Sequence, residues 1–329
     1  MLRPGPRRGK EVVVRALLRR LGQLVAVLAL VSFGVFLLVA ALPGDPAAAI
    51  LGPGRPPEDY AALRAEMGLD QPLFQRYFEW LGQALTGDLG SSTVPPYLDV
   101  SDRITAALPV SIELACLGLL IALLIAIPLA LVSAYREGGL VDRVVSGGTF
   151  AILSIPSFLL GLLLIMLVVE TLGWLPRSQW VRLSDSVAGN LEHAILPAIV
   201  IALPEAALFT RILRNDLVRT LREDFVLAAR AKGMPPSRVM LNEALRPSSF
   251  SLVTVVGIAL GTLIGSTVIV EYLFSLPGMG TLVVTAASQG DFPIVQGATL
   301  VIATLYVLIN TGIDVVYGYL DPRTRRVHA

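Results

Sequence analysis

The stretch LACLGLLIALLIAIPLALVSAY, residues 114–135, contains no charged side chain. About 20 apolar residues in a helix cross the roughly 30 Å hydrocarbon core of a bilayer. The composition of the whole chain agrees with a membrane location, because 54% of its 329 residues are hydrophobic and only 16% are charged. Soluble domains carry about 25% charged residues. The sequence therefore predicts an all-α membrane protein.

Five more stretches of the chain are long and apolar enough to cross a membrane as helices. Four of them contain no charged residue, and the fifth is shorter, with Glu205 and two prolines inside it. We include the fifth stretch because its flanking residues can lengthen it. The six predicted spans are residues 21–44, 114–135, 144–169, 193–210, 247–270 and 292–313.

Arginine and lysine residues predict the orientation of these spans, because cytoplasmic loops of membrane proteins are rich in them. With the N-terminus inside, the inner segments hold twenty of these residues and the outer segments six. Both termini are therefore predicted to be cytoplasmic. A cleaved signal peptide is the alternative for the first span, but its apolar stretch is too long and no A-x-A cleavage site follows it. The inner segments are 1–20, 136–143, 211–246 and 323–329.

The predicted boundaries divide the chain into five parts. They are a basic cytoplasmic N-terminus (1–20), a first transmembrane helix (21–43), an extracytoplasmic segment with amphipathic helices (44–103), a core of five transmembrane helices (104–320) with a cytoplasmic loop at 211–246, and a cytoplasmic tail (321–329).

The extracytoplasmic segment contains one strongly patterned helix between Pro72 and Gly87. Its apolar residues recur at helical spacing, and they are Phe74, Tyr77, Phe78, Leu81 and Leu85. Two roles fit this amphipathic helix. It lies on the membrane surface and packs on the ends of the spans, or it forms a docking platform for an extracytoplasmic partner.

Several kinds of chemistry lack the residues that they require. Neither lysine, Lys10 or Lys232, occurs in a G-x-x-x-x-G-K-[ST] phosphate loop, and the sequence contains no H-E-x-x-H or G-x-S-x-G motif. The two histidines, His193 and His328, are too far apart for a local metal motif. Cys116 is the single cysteine, and the net charge of +1 gives no sign of nucleic-acid binding. We therefore predict no catalytic, metal or cofactor site in this chain.

Acidic residues in or near the spans are candidates for function, because a charge at membrane depth is costly. For those near the outer interface we favour solvated or helix-capping roles; they are Glu113, Glu170, Glu192 and Glu271. Glu205 and Asp314 lie deeper or nearer the inner face. We predict that each pairs with an arginine such as Arg211 or Arg214.

The segment DFVLAARAKGMPPSRVMLNEALRPS, residues 224–248, interrupts the apolar pattern. Asp224 and Lys232 suit the two ends of a short helix, and Gly233 suits its C′ position. The prolines at 235 and 236 prevent simple continuation, and Ser237 is predicted to cap a second helix that extends through Leu245. The first helix combines an apolar anchor, Phe225, with small alanines and two cations. A hairpin lying on the lipid surface is the alternative.

This segment resembles the cytoplasmic signature of bacterial ABC importer permeases, which consists of an EAA sequence, three further residues and then a glycine. More narrowly, the chain resembles the first-permease-subunit branch of the dipeptide/oligopeptide/nickel family. Other stretches carry the same resemblance in order: LPGDP (42–46), GLDQP (68–72), TGDLGSS (86–92), LPAIV (196–200), LFSLPGMG (273–280), DFPIVQG (291–297) and YLDPRTR (319–325).

The resemblance implies a six-helix subunit of the bacterial cytoplasmic membrane that is not itself an enzyme. It implies a heterodimer with a second homologous permease, two cytoplasmic ATPase subunits that bind ATP and Mg, and an extracytoplasmic solute-binding protein that delivers peptides. The first helix of the 224–248 segment would couple the chain to an ATPase through Asp224, Phe225, Leu227, Ala228, Ala229, Arg230, Lys232 and Gly233.

The chain departs from the family signature at two positions. Leu227 occupies the glutamate position of the signature, which removes a carboxylate from the coupling helix. Further on, Leu245 fits the family's I-x-L-P pattern, but Arg246 takes the proline position and Pro247 follows it. The second departure falls at the predicted end of the second helix.

The resemblance also implies a translocation path lined by the second to fifth spans of both permeases. Gly257, Gly261 and Gly265 repeat every four residues in the fifth span. Close helix packing is the favoured role of these glycines, and lining of the path is the other. Three functional alternatives remain: a permease for nickel or another small solute, a self-contained secondary transporter, and a membrane-embedded enzyme.

Overall fold

The computed structural model describes residues 6–41, 46–66 and 68–320. Within these ranges helices are the regular structure, and the one extended pairing is an isolated bridge between Ser91 and Asp99. Five helices are long and apolar enough to cross a membrane, and a sixth span is obtained when one bent helix pair is counted as a single crossing. The predicted all-α membrane fold is confirmed.

The described residues form thirteen α-helices and two π-helical segments. The helices are α1 (Pro6–Ala41), α2 (Pro46–Leu51), α3 (Pro57–Glu66), α4 (Leu73–Leu85), α5 (Val100–Tyr135), α6 (Leu140–Ser154), α7 (Ser157–Leu164), α8 (Val187–Thr220), α9 (Asp224–Ala231), α10 (Pro236–Arg238), α11 (Leu245–Leu273), α12 (Met279–Gln289) and α13 (Phe292–Leu320). The π-helical segments are Ile165–Thr171, which follows α7, and Val239–Ala244, which joins α10 to α11.

The chain folds as two compact units, of which the first comprises Met1–Ala106 and Leu282–Val316. In this unit α4 packs on α1 through aromatic rings. The ring of Tyr77 meets Phe33 edge-on at 5.1 Å and Phe36 at 5.6 Å, and its hydroxyl shares a 2.8 Å hydrogen bond with the hydroxyl of Ser32. The amphipathic helix predicted between Pro72 and Gly87 is confirmed, and this contact supports the packing role.

Two of the stretches that carry the family resemblance meet in the same unit. Asp291 is buried, and its carboxylate accepts hydrogen bonds from the hydroxyl of Ser92 and from the backbone N–H of Thr93 at 3.1 Å. Gly297 leaves no room for a side chain, because a Cβ there would lie 2.7 Å from Val100 Cγ1. TGDLGSS is thus held against DFPIVQG by the bond from Ser92 to the buried carboxylate, and Gly297 lies close to Leu89 of that stretch and to Val100 beyond it.

The second unit comprises Ala107–Thr281 and Tyr317–Ala329, and α8 is its central helix. The helices α6, α7 and α11 pack on α8. Small side chains permit this close packing, and the buried alanines of α8 are Ala194, Ala198, Ala202, Ala206 and Ala207. α5 also approaches α8 closely, since a Cβ on Gly118 would lie 2.8 Å from Ile201 Cγ2.

The predicted third span is broken into two legs, which differ in direction by 104°. The break falls at Ile155, whose backbone is extended (φ −96°, ψ 125°). A residue before proline avoids the helical conformation because of the proline ring, and Pro156 supplies that ring here. Pro156 also lacks the N–H that would continue the hydrogen bonds of α6. The single uninterrupted stretch 144–169 is therefore two helices.

Glu271 lies at the end of α11 and is fully buried. Its carboxylate accepts hydrogen bonds from the hydroxyl of Ser111 at 2.7 Å and from the N–H of Gly280, in the first turn of α12, at 2.7 Å. A Cβ on Gly278 would lie 2.3 Å from this carboxylate, which explains a glycine in the LFSLPGMG stretch. The predicted capping role of Glu271 is confirmed, although the side chain is not solvated.

Candidate functional site: the 224–248 segment and its attachment

The short helix α9 begins and ends as its sequence predicts. Asp224 lies in the first turn, where a negative charge suits the helix dipole. Gly233 has φ +77°, its N–H donates to Arg230 O, and the N–H of Met234 donates to Ala229 O at 3.2 Å. These two bonds form a Schellman motif, which satisfies the last carbonyl groups of the helix.

One face of α9 is buried against its own chain and the other is open. Val226 and Ala229 are buried, whereas the side chains of Phe225 and Leu227 are 47% and 50% exposed. Ala229 therefore belongs to the inner face and not to the open surface that the sequence predicted. The exposed face carries the remaining predicted coupling residues, which are Asp224, Phe225, Leu227, Ala228, Arg230, Lys232 and Gly233.

The second part of the segment differs from the prediction. Ser237 does not cap a helix; it lies inside α10, which begins at Pro236 with Pro235 as its N-cap and no side-chain capping bond. The helical path then continues through the π-helical segment Val239–Ala244 into α11. Pro247 cannot donate a hydrogen bond to the turn before it, and the wider π-helical turns directly upstream accommodate that loss.

A half-open groove of about 540 Å³ lies beside α9 at the ends of α5 and α8. Its lining is mixed, with two arginines, one glutamate and several apolar side chains. The lining residues are Ala134, Tyr135, Glu137, Val218, Leu221, Arg222, Arg230, Met234, Pro236, Val239 and Met240. α9 thus borders a concave surface as well as presenting its own exposed face.

The strongest polar contact near this segment is an ion pair that the sequence did not predict. Arg214 of α8 donates from Nε and Nη2 to the two carboxylate oxygens of Asp142, at 2.7 and 2.6 Å. Asp142 is buried in the first turn of α6. The two residues are 72 positions apart, and the sequence shows only that Asp142 follows a Gly-Gly turn, a signal too general to identify its partner.

The predicted partners of Glu205 are engaged elsewhere. Arg214 binds Asp142, and the guanidinium of Arg211 lies 4.3 Å from the ring centre of Phe150. Among the residues whose side chains the structure describes, Glu205 makes no ion pair, so the pairing predicted for it is wrong. The side chain of Asp314 lies outside the described part of the chain.

The remaining acidic residues near the outer interface differ in their surroundings. Glu170 and Glu192 are exposed, as predicted. Glu113 is half-buried, and its Oε1 has no hydrogen-bond partner within the described residues. Within the part of the chain that the structure describes, no group of three or more His, Cys, Asp or Glu side chains is placed to hold a metal ion.

The three glycines of the fifth span do not share one environment. Gly257 and Gly261 are buried in α11, whereas Gly265 is exposed and a Cβ there would meet no atom within 4 Å. The first two therefore support the packing role, and Gly265 is the glycine of the three that faces open space.

Comparison with known proteins covers almost the whole chain. Residues 126–326 match the family model described as binding-protein-dependent transport system inner membrane component, and residues 13–97 match the model of its N-terminal part. A probable peptide ABC transporter permease protein of Sinorhizobium fredii is 35% identical, covering 94% of this chain and 98% of the relative.

Two further relatives come from distant bacteria. The oligopeptide transport system permease protein AppB of Bacillus subtilis is 34% identical over 88% of this chain and 92% of its own length. The dipeptide transport system permease protein DppB of Escherichia coli is 33% identical over 95% of this chain and 99% of its own length. The chain therefore belongs to the family of inner membrane components of binding-protein-dependent transport systems, and it is a multi-pass protein of the cytoplasmic membrane.

Proposed function

We propose that this chain is the permease subunit of an ATP-driven importer of di- or oligopeptides. It forms half of the translocation path, and a second homologous permease forms the other half. The printed names of the relatives from Sinorhizobium, Bacillus and Escherichia all specify peptide transport, and these relatives match nearly end to end. The cargo assignment depends on those relatives, and the coupling assignment depends on the conformation of α9.

The observation that carries the coupling role is the division of α9 into two faces. Val226 and Ala229 seat the helix on its own chain, while Phe225 and Leu227 remain about half exposed beside charged residues. A partly exposed aromatic side chain surrounded by polar groups is typical of an interaction surface. The Schellman motif at Gly233 fixes the end of the helix, and the buried Val226 and Ala229 hold its inner face.

Two cytoplasmic ATPase subunits are the partners that this surface fits. The chain has no phosphate loop of its own, so ATP and Mg bind to those subunits. ATP draws the two ATPases together, and they pull the coupling helices of both permeases with them. The path then changes from inward-facing to outward-facing, and hydrolysis resets it.

The same proposal assigns the remaining parts of the chain. The loop at 211–246 faces the cytoplasm with both termini, and the segment 44–103 faces outward, where a solute-binding protein delivers the cargo. In this segment α4 packs on α1 by Tyr77 and leaves Phe78 exposed, so packing and docking can use different residues of one helix. In the path itself, Gly265 has the open surroundings that a lining residue requires.

A pair of variants tests the coupling surface. Phe225→Ala removes an exposed aromatic side chain from α9, and Phe78→Ala removes one from α4. We expect Phe225→Ala to reduce the amount of ATPase that co-purifies with the chain by about tenfold, the loss expected for an interface anchor. Phe78→Ala should retain the ATPase, and equal retention by both variants contradicts the assignment.

The cargo is tested with the complete transporter in proteoliposomes together with its binding protein. ATP-dependent uptake of labelled di- or oligopeptides supports the proposal. Uptake of nickel without any peptide uptake would replace peptide with a small solute as the cargo. Uptake driven by an ion gradient in the absence of ATPases would identify a secondary transporter instead.

A further inference from the structure

The ion pair between Asp142 and Arg214 belongs to a larger set of bonds around one buried carboxylate. Besides the two bonds from Arg214, Asp142 accepts a 2.5 Å bond from the hydroxyl of Ser133 and a 2.8 Å bond from the N–H of Gly138. The side chain of Asp142 is 7% exposed and that of Arg214 is 21% exposed. All four donors are therefore held in a fixed arrangement, with little competition from water.

These donors come from different elements of the second unit. Ser133 lies near the end of α5, Gly138 lies in the turn that leads to α6, and Arg214 lies in α8. Asp142 itself lies in the first turn of α6. One carboxylate therefore fastens the α5–α6 hairpin to α8. Arg214 lies ten residues before Asp224, where α9 begins, and about 9 Å of helix before α8 ends at Thr220.

A second polar bond joins α8 to α11 at the same end of the unit. The hydroxyl of Ser248 donates to the hydroxyl of Thr220 at 2.9 Å, and Ser248 is buried. The two chain segments that flank α9 are thus each bonded to another membrane helix. A displacement of α9 reaches the membrane helices through these attachments.

We propose that Asp142 is a positioning residue of the transport cycle. Its ion pair makes α5, α6 and α8 move as one rigid body when an ATPase displaces α9. Without the pair, the end of α8 can tilt against the hairpin and absorb the displacement locally. Packed side chains, ion pairs and rigid helices of this kind carry energetic coupling between distant sites. This inference rests on the proposed function, because it takes the force on α9 to come from ATPase subunits.

The same hairpin offers a matched control. Glu137 and Arg222 also form an ion pair between the hairpin and the chain near α9, with a 2.6 Å distance. That pair is exposed, at 44% and 71% for the two side chains. Exposed pairs hold their partners weakly, because water and salt screen them. A substitution there changes charge at the same end of the unit without breaking a rigid contact.

The experiment measures peptide imported per ATP hydrolysed by the complete transporter in proteoliposomes. We expect Asp142→Asn to lower this ratio by about tenfold, within the range of ordinary coupling effects, while the ATPase subunits still co-purify and hydrolyse ATP. Glu137→Gln should leave the ratio within about twofold of wild type. A proportional fall of transport and ATP hydrolysis in Asp142→Asn overturns the inference.

A double variant separates transmission from stability. Asp142→Asn leaves Arg214 as a buried charge without its partner, whereas Asp142→Asn/Arg214→Gln removes both charges. We expect the double variant to recover the yield of folded complex but to keep the low import ratio. If the double variant recovers the import ratio as well as the yield of folded complex, the role of Asp142 is merely structural. If the wild-type transporter imports no peptide at all, the proposed function fails. That result is distinct from either outcome for the double variant, because both are measured against peptide import by wild type.

Discussion

Gly233 illustrates how a single residue determines the end of α9. Its φ of +77° lies in the left-handed region, and a Cβ there would meet no atom within 4 Å. The cost of replacing it therefore comes from the backbone conformation and not from crowding. A left-handed conformation costs an ordinary residue about 1–2 kcal/mol, and asparagine tolerates it better.

Substitutions at Gly233 should form a graded series. Gly233→Asn should bind the ATPase nearly as well as wild type, and Gly233→Ala should weaken the helix end by about 1 kcal/mol. Gly233→Pro should be the most damaging, because proline also removes the N–H that donates to Arg230 O at 2.9 Å. Retention of ATPase during purification measures the series. Equal retention by the alanine and proline variants contradicts this account.

Residue-scale features could be predicted where neighbouring residues decide them. Asp224 and Gly233 were placed correctly because the chemistry of a helix end depends on residues within one turn. The partner of Arg214 could not be predicted, because its identity depends on how α6 packs on α8. The inner position of Ala229 was also missed, since an alanine-rich helix gives a weak signal of which face is buried.

At the scale of elements, α4 packs on α1 through several aromatic side chains, one of which is buried, while a neighbouring ring is mostly exposed. Tyr77 is buried against Phe33 and Phe36, and Phe78 is 65% exposed. The apolar spacing predicted this helix correctly because a repeat near 3.6 residues is a direct signal of helical periodicity. The spacing could not show which of the two aromatic residues is buried.

Removal of each aromatic side chain tests this division of α4. Tyr77→Ala should destabilise the protein by about 3 kcal/mol, as expected for loss of a buried aromatic ring. Phe78→Ala should change stability by less than about 0.5 kcal/mol, because its ring is mostly exposed. Thermal unfolding of the purified protein in detergent gives both values. A larger loss of stability in Phe78→Ala would mean that α4 packs through the face that carries Phe78.

The break between α6 and α7 was the main element that the apolar pattern missed. An uncharged run shows that a segment is apolar along its length, but it contains no information about the direction of the helix. Pro156 was the available signal, since the residue before a proline is shifted toward extended conformations. Four other prolines nevertheless lie inside continuous helices, so a proline alone does not identify the break. They are Pro109, Pro128, Pro197 and Pro204.

For the whole molecule, the distribution of arginine and lysine tests whether the bent pair crosses the membrane. Each leg has 15 residues, or about 22 Å of helix, which is too short to cross alone. If both legs tilt equally, their 104° angle gives a combined rise of roughly 28 Å. The pair can therefore cross a bilayer as one bent span.

The alternative topology conflicts with the charge distribution. With a crossing pair and the N-terminus inside, as predicted, twenty arginine and lysine residues would lie inside and six outside. If the pair returned to the inner side, the loop at 211–246 and the tail would lie outside, leaving eleven of these residues inside and fifteen outside. The positive-inside rule strongly favours the crossing.

Cysteine labelling measures this topology directly. Cys116 is the single cysteine, so Cys116→Ser gives a background without reactive thiols. In that background, Ser184→Cys should react with an impermeant maleimide from outside the cell, and Ser237→Cys should react only in inverted vesicles. Both serines are exposed. The reversed pattern, with Ser237→Cys reacting from outside the cell and Ser184→Cys reacting only in inverted vesicles, would show a re-entrant pair and a five-span chain.

The bent pair also has a consequence for biosynthesis. Gly161 in α7 leaves little room for a side chain, because a Cβ there would lie 2.5 Å from Leu273 and 3.4 Å from Val200. Its neighbours are therefore residues of α8 and α11. Those helices are synthesised later than α7. While residues 140–171 emerge from the ribosome, these neighbours of Gly161 do not yet exist, and neither leg alone can cross the bilayer. The packing around Gly161 therefore forms only after the fifth span has been translated, which makes the docking of α7 a late step in the production of the protein.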